Sequence, residues 1–416
     1  MNHPLKKLIK SDSLIESLAK KYGTPLYLYD KKQLIQNIVS IDKSLKNNFK
    51  KYQIFYTIKA NSNPSIIKTL KSSILNLGAD CSSPGELYAA KLGGISGIDC
   101  IYTGNYESNM DLKLALENGA HINLDDISSF HRLKKIEIPD EISFRLNPGF
   151  GNGANDNITT GGHNSKFGIP KEKIVLAYSL AKEHGVKSFG LQCMTGSGVL
   201  NPNYFPKLMD EILKIANSVS KKLDIKFRYI SIGGGFGIPY SDNENSLNFG
   251  KIFKEVSKVF HSNFSDDNIP ELWIEPGRSV VGNAGILLAR VTGIKSSYKN
   301  YIGLDAGMET LMRPALYGAK HRIYKLGDPN PKETNIYDFT GRICENTDRI
   351  AKDLKFPKVK EGDLVLIMDV GAYGFSMSHQ FCVRPKTAEV LLDKNTPTLI
   401  RSRETIEELF ENCLMI

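Results

Sequence analysis

From Gln53 onward the chain alternates short β-rich runs with longer segments of helical period, the pattern of a parallel sheet wrapped by helices. The strand candidates are QIFYTI (53–58), NLGAD (76–80), DCIYT (99–103), HINL (121–124), ISFRL (142–146), SFGLQCM (188–194), YISI (229–232) and ELWIE (271–275). Helical candidates such as SIIKTLKSS, PGELYAAKLG and KEKIVLAYSLAKEHG lie between them. Eight strand-plus-helix units in about 230 residues match a (β/α)8 barrel, with an open doubly wound sheet as the alternative. After Glu275 the texture changes. VVGNAGILLARVTGIK, YIGLDAG, IYDFTGRIC, DLVLIMDVG and TAEVLLD are strand-like runs joined by Gly, Pro and Asn, which predicts a second, β-rich domain. Periodicity leaves open which domain the early strand TPLYLYD (24–30) joins.

The 416 residues are 41% hydrophobic and 24% charged, ample apolar material for such a core and outside the range of disordered chains. Lys and Arg (54) outnumber Asp and Glu (45) for a net charge of +9. The excess is scattered as lysine pairs mixed with acids, with no arginine-rich stripe, so a solvated basic surface is expected and not a nucleic-acid partner. The six cysteines (Cys81, Cys100, Cys193, Cys344, Cys382 and Cys413) lie far apart and never form C-x-x-C. Neither a metal site nor a disulfide framework follows, and a reducing compartment does. No stretch approaches the ~20 apolar residues that span a bilayer, and the N-terminus lacks the apolar core of a secretion signal. A cytoplasmic protein without a membrane partner is the expectation.

Barrel active sites form where the strands end, and these strand ends are polar or glycine-rich. Lys59 follows the first strand, and Asp80, Cys81, Ser82 and Ser83 the second. Arg145 and Asn147 end the fifth, Thr195-Gly196-Ser197-Gly198 the sixth, Gly233-Gly234-Gly235-Phe236-Gly237 the seventh, and Glu275-Pro276-Gly277-Arg278 the eighth. Glycines let backbone N–H groups approach an anion, so the last two ends suit a phosphate. The GGGFG run alone also suits a tight turn, and it fails the G-x-G-x-x-G dinucleotide fingerprint. Lys59 closes an apolar run, where burial would disfavour its ammonium form and ready it as a Schiff-base amine; a lysine snorkelling to the surface is the plainer reading. A phosphate cradle, such a lysine and an acid for a pyridinium nitrogen (Glu275) are the parts of a pyridoxal phosphate site.

Across nearly the whole length, YTIKAN, GADCSSPGEL, RLNPG, SKFGIP, GGGFGIPY, EPGRSVVGNAG, DAGMETLMRPALYGAKH, GRICENTD and GAYGFSMS occur in order. In these motifs the chain resembles the alanine-racemase-type pyridoxal phosphate enzymes and, within them, the diaminopimelate decarboxylases. The resemblance implies a (β/α)8 barrel over residues 30–285, and a β-rich domain made of 1–29 and 286–416 that completes the active site. It implies that Lys59 holds pyridoxal 5'-phosphate covalently with Asp80 nearby, and that Glu275 pairs with the pyridine nitrogen. Ser197, Gly235, Gly277, Arg278 and Tyr373 would surround the phosphate or its approach. Arg278, Arg313 and Tyr317 would grip a distal carboxylate of the substrate, with Tyr373 beside it.

By the same resemblance Cys344, as proton donor, and Glu345, reading the distal ammonium, would enter from a partner subunit, which makes the enzyme a homodimer. Read without the resemblance, Cys344 is a packed thiol, Arg313 and Tyr317 a helix-face pair, and Tyr373 a strand cap. One position departs from the family: where it usually has a histidine stacked on the cofactor ring, this chain has Met194, whose thioether can still pack against an aromatic face. HQFCVRP likewise lacks the asparagines and tyrosine that the family often has there, although Arg384 and Pro385 remain. The implied activity is decarboxylation of meso-2,6-diaminopimelate to L-lysine and carbon dioxide, the last step of lysine biosynthesis. The alternatives are carboxynorspermidine, lysine, ornithine or another diamino acid as substrate.

Overall fold

The alternation seen in the sequence closes on itself. The computed structural model describes residues 3–264, 268–328, 332 and 334–414. A first strand, β1 (Leu26–Asp30), and a helix, Lys31–Lys46, precede β2 (Tyr52–Thr57), β3 (Leu77–Cys81), β4 (Cys100–Tyr102), β5 (His121–Leu124) and β6 (Glu141–Asn147). There follow β7 (Ile169–Pro170), β8 (Ser188–Cys193), β9 (Phe227–Ser231) and β10 (Glu271–Ile274). The order β5-β4-β3-β2-β10-β9-β8-β6, with β6 pairing back onto β5, makes a closed barrel of eight strands. Its neighbouring strands are parallel. Helices return the chain between them, several starting on residues that suit a helix N-terminus. Asn63 caps Pro64–Lys71, Ser83 caps Pro84–Leu92, and Ser108 forms a capping box with Asp111.

The period of two along each strand sets what fills the barrel. One inner layer is apolar: Phe55, Ile101, Tyr229 and Trp273 form a buried cluster in which the Tyr229 and Trp273 rings stack at 3.4 Å. Gly190 makes room for it, because a Cβ there would overlap the Tyr229 ring. Two residues further along the same strands the layer turns polar, with Thr57, Thr103, Ser231 and Glu275, and neighbouring strands add Asp80, Asn123, Ser143 and Gln192. All eight of these are buried. Their hydrogen-bonding groups meet one another: Asn123 donates to Thr103 at 3.0 Å and accepts from Ser143 at 2.7 Å. The apolar plug thus seals the barrel below a polar floor at its C-terminal end.

By contact density the barrel unit comprises Gln36–Ile238 and Asn245–Ser279, and a second unit comprises Met1–Ile35, Pro239–Glu244 and Val280–Ile416. The second is built on strands β11 (Gly285–Ser296), β12 (Asn300–Leu304), β13 (Ile323–Lys325), β14 (Asn335–Thr340), β15 (Arg349–Phe356), β16 (Leu364–Met368), β17 (Ala388–Asp393) and β18 (Thr396–Arg401). They run in the order β15-β14-β12-β11-β1-β17-β18, while β16 pairs with β11 and β13. The early strand therefore joins this sheet, antiparallel to β11 and parallel to β17. Alternate residues Leu26/Leu28, Ile286/Leu288, Leu364/Leu366/Met368 and Ala388/Val390/Leu392 face one core, against Leu5, Leu8, Ile9, Ile15 and Leu18 of the N-terminal helices. Among the described residues no helix is long and apolar enough to cross a membrane.

Candidate active site

Lys59 lies in a short 3-10 turn, Ile58–Ala60, directly after β2. Its Nζ donates to Asp80 Oδ2 at 2.9 Å and to Ser82 Oγ at 3.1 Å. The expected burial of this amine is corrected: its side chain is 44% exposed, and a carboxylate faces it. The strand ends before Lys59, so the stem leaves the apolar wall and the amine reaches the barrel mouth. Glu86 lies behind Ser82 and accepts its backbone N–H at 2.8 Å; burial raises the pKa of this carboxyl, against the pull of Lys59.

Glu275 occupies the polar floor one residue past β10. Ser231 donates to its Oε1 at 2.6 Å and Gln192 to its Oε2 at 2.8 Å. Those two donors are register partners on adjacent strands β8 and β9, so one rung of the barrel supplies both. Burial first, and then the nearby Asp80 charge, push the Glu275 carboxyl up to about 7, while Ser231, Gln192 and Lys59 pull it down. A carboxyl so placed has a strong electrostatic reason to acquire a cationic partner.

The glycine run after β9 packs against the same residue. Glu275 N–H donates to Gly233 O at 2.9 Å. Gly235 has φ +88, and a Cβ on it would come within 2.6 Å of Gly196 O, so only glycine fits this concave turn. Beside it Arg278, buried at the start of the helix Arg278–Val281, donates to Ser197 Oγ at 3.1 Å. Gly277, just before it, is buried as well. Met194 Sδ accepts the Gly234 N–H at 3.3 Å, so the residue at the histidine position braces the glycine turn.

The β-rich unit carries the other predicted residues. Arg313 and Tyr317 begin and end one short helix. Arg313 is buried; its Nη1 meets His321 Nε2 at 2.9 Å, and its guanidinium lies 4.8 Å from the Tyr240 ring centroid. Tyr317 is half-buried. Tyr373 sits in the turn after β16 with φ +58, a left-handed conformation uncommon for a tyrosine. Cys344 and Glu345 are exposed on the loop between β14 and β15. Buried Asp348 shapes that loop, accepting the N–H groups of Met308 at 2.6 Å and Ile343 at 3.0 Å.

Several contributing residues escaped the sequence reading: Gln192, Ser231, Glu86, Tyr240, His321 and Asp348. The first two carried one signal, a polar side chain inside an otherwise apolar strand, which in a barrel points inward.

The residues at the barrel mouth fit pyridoxal phosphate: an amine to carry it, a buried carboxyl held by two neutral donors, and a glycine turn, filled by any Cβ, beside a serine and an arginine. A family model described as the pyridoxal-binding domain of pyridoxal-dependent decarboxylases matches residues 35–282. Fold and site together therefore define the class, a pyridoxal phosphate-dependent decarboxylase. The diaminopimelate decarboxylase of Methanothermobacter thermautotrophicus is 37% identical over 94% of this chain and 92% of its own. That of Thermoplasma acidophilum is 36% identical, over 95% and 94%. The crystal structure of the Helicobacter pylori diaminopimelate decarboxylase complexed with L-lysine is similar with a TM-score of 0.87 at 30% identity, covering 95% of this chain and 98% of that one. The chain belongs to the diaminopimelate decarboxylase family, and pyridoxal 5'-phosphate is its cofactor.

Proposed function

We propose that the chain decarboxylates meso-2,6-diaminopimelate to L-lysine and carbon dioxide, as a cytoplasmic homodimer with pyridoxal phosphate held on Lys59. The observation that carries the choice of substrate is Arg313, a buried guanidinium oriented by His321 and Tyr240. Full-length likeness to diaminopimelate decarboxylases, one of them solved with L-lysine, supports the same reading.

When bound, the cofactor supplies an electron sink for the pair released as the carbon–carboxylate bond breaks. Lys59 would carry it, and Asp80 holds that amine in place. Glu275 would keep a proton on the pyridine nitrogen, its two oxygens already held by Ser231 and Gln192. Ser197, Gly235, Gly277, Arg278 and Tyr373 would hold the phosphate and its approach, and Met194 braces the glycine turn through its thioether. Arg278, Arg313, Tyr317 and Tyr373 bind and orient the substrate, Arg313 through the charge and planar fork that suit a carboxylate. Cys344, contributed by the partner subunit, gives the proton that replaces the lost carboxylate, and Glu345 beside it reads the distal ammonium. The exposure of both on a loop pre-shaped by Asp348 supports that use.

Turnover of purified holoenzyme on meso-diaminopimelate, lysine, ornithine and carboxynorspermidine in parallel tests the proposal. L-Lysine from diaminopimelate as the dominant product supports it; preferential release of cadaverine, putrescine or norspermidine contradicts it.

A further inference from the structure

We infer that His321 is the positioning residue that aims Arg313 at the substrate's distal carboxylate, an inference that rests on the reading just given. Donor and acceptor roles around this ring are forced. His321 Nδ1 lies 2.8 Å from Met368 O, and a carbonyl only accepts, so Nδ1 carries the hydrogen. Nε2 then offers a lone pair, and Arg313 Nη1, which only donates, meets it at 2.9 Å. The neutral Nδ1–H tautomer follows from the network. The ring is itself anchored: Met368 N–H donates to Arg322 O at 2.9 Å, and the Arg322 side chain grips Asp369 through Nε at 3.0 Å. Residues 321 and 322 are thus tied to the end of β16 from both sides.

Tyr240 completes the holder, lying under the guanidinium and edge-on to the His321 ring at 5.4 Å and 81°. One imidazole nitrogen and one aromatic face therefore bear on a buried guanidinium and set its plane. A neutral acceptor orients the guanidinium while leaving it cationic.

The test uses holoenzyme and meso-diaminopimelate with four variants. His321→Asn keeps a polar group near Nδ1 but is too short to reach Arg313, whereas His321→Gln carries its carbonyl out to the Nε2 position. The expected result is a KM raised about tenfold or more in H321N and in H321L, with kcat changed much less and the visible absorbance of the bound cofactor intact. H321Q should restore most of the lost affinity. Arg313→Ala serves as the reference for loss of the grip itself. Equal KM in H321Q and H321N, or KM unchanged in H321L while R313A raises it, overturns the positioning role alone. An unchanged KM in R313A overturns both this role and the substrate reading beneath it. Thermal melts of all four accompany the kinetics, and a KM effect that tracks only lost stability, alike in Gln and Asn, also overturns the proposal.

Discussion

At the level of single residues, the barrel floor holds a carboxyl, Glu275, whose ionisation folding shifts. Folding raises the pKa of Glu275 from 4.5 to about 7, first through burial and then through Asp80. Between those values the folded protein binds more protons than the unfolded one, so in cofactor-free protein stability is highest below about pH 4.5 with respect to this group. It declines as pH rises toward 7, by an amount on the order of a few kcal/mol. Glu275→Gln, neutral throughout, should flatten that decline; denaturant unfolding of cofactor-free wild type and variant across pH 4.5–8 measures it. Parallel slopes in the two proteins would place the titration elsewhere. In holoenzyme the same variant should lose most turnover, because an amide cannot hold a proton on the pyridine nitrogen by charge. Lys59 teaches the complementary point: its environment is a carboxylate at a half-open mouth, not the apolar burial that its preceding residues suggested.

Elements put these residues where they act, and two elements can be tested directly. In β8, Gly190 leaves the space that the Tyr229 ring occupies. Gly190→Ala should destabilise the protein by about 2–3 kcal/mol through overpacking of the plug, read as a lower midpoint in denaturant; an unchanged midpoint would mean that the ring moves aside freely. The loop carrying Cys344 and Glu345 depends on Asp348, which takes the N–H groups of Met308 and Ile343. Asp348→Ala strands both donors, each at a cost of about 1–3 kcal/mol. Hydrogen exchange over 341–348 should quicken and turnover fall, with cofactor absorbance kept; unaltered exchange would free Asp348 of that role.

The strands themselves were legible because alternation is local. Each of the eight runs expected in the barrel became a strand with ends shifted by at most two residues, and Lys59 and Glu275 stood out because they lie at strand ends. The clamp on Glu275 was not legible, since bringing Gln192 beside Ser231 depends on the register of β8 against β9. His321 and Tyr240, the holders of Arg313, escaped for a related reason: only the fold joins their side chains to that guanidinium.

For the whole molecule, non-local pairing decides the architecture. The strand Leu26–Asp30 lies inside the sheet of the β-rich unit between β11 and β17, so the chain's beginning and its last third fold together while the barrel is inserted between them. The barrel's apolar plug, polar floor and glycine-lined mouth fit one proposed requirement, that Lys59 just past β2 carries the cofactor. Borohydride reduction of purified holoprotein, followed by proteolysis and mass spectrometry, tests that requirement most directly. The pyridoxyl phosphate mark is expected on the peptide containing Lys59 and absent from a Lys59→Ala variant; a mark on a different lysine, or none on protein that is turning over substrate, would contradict the assignment.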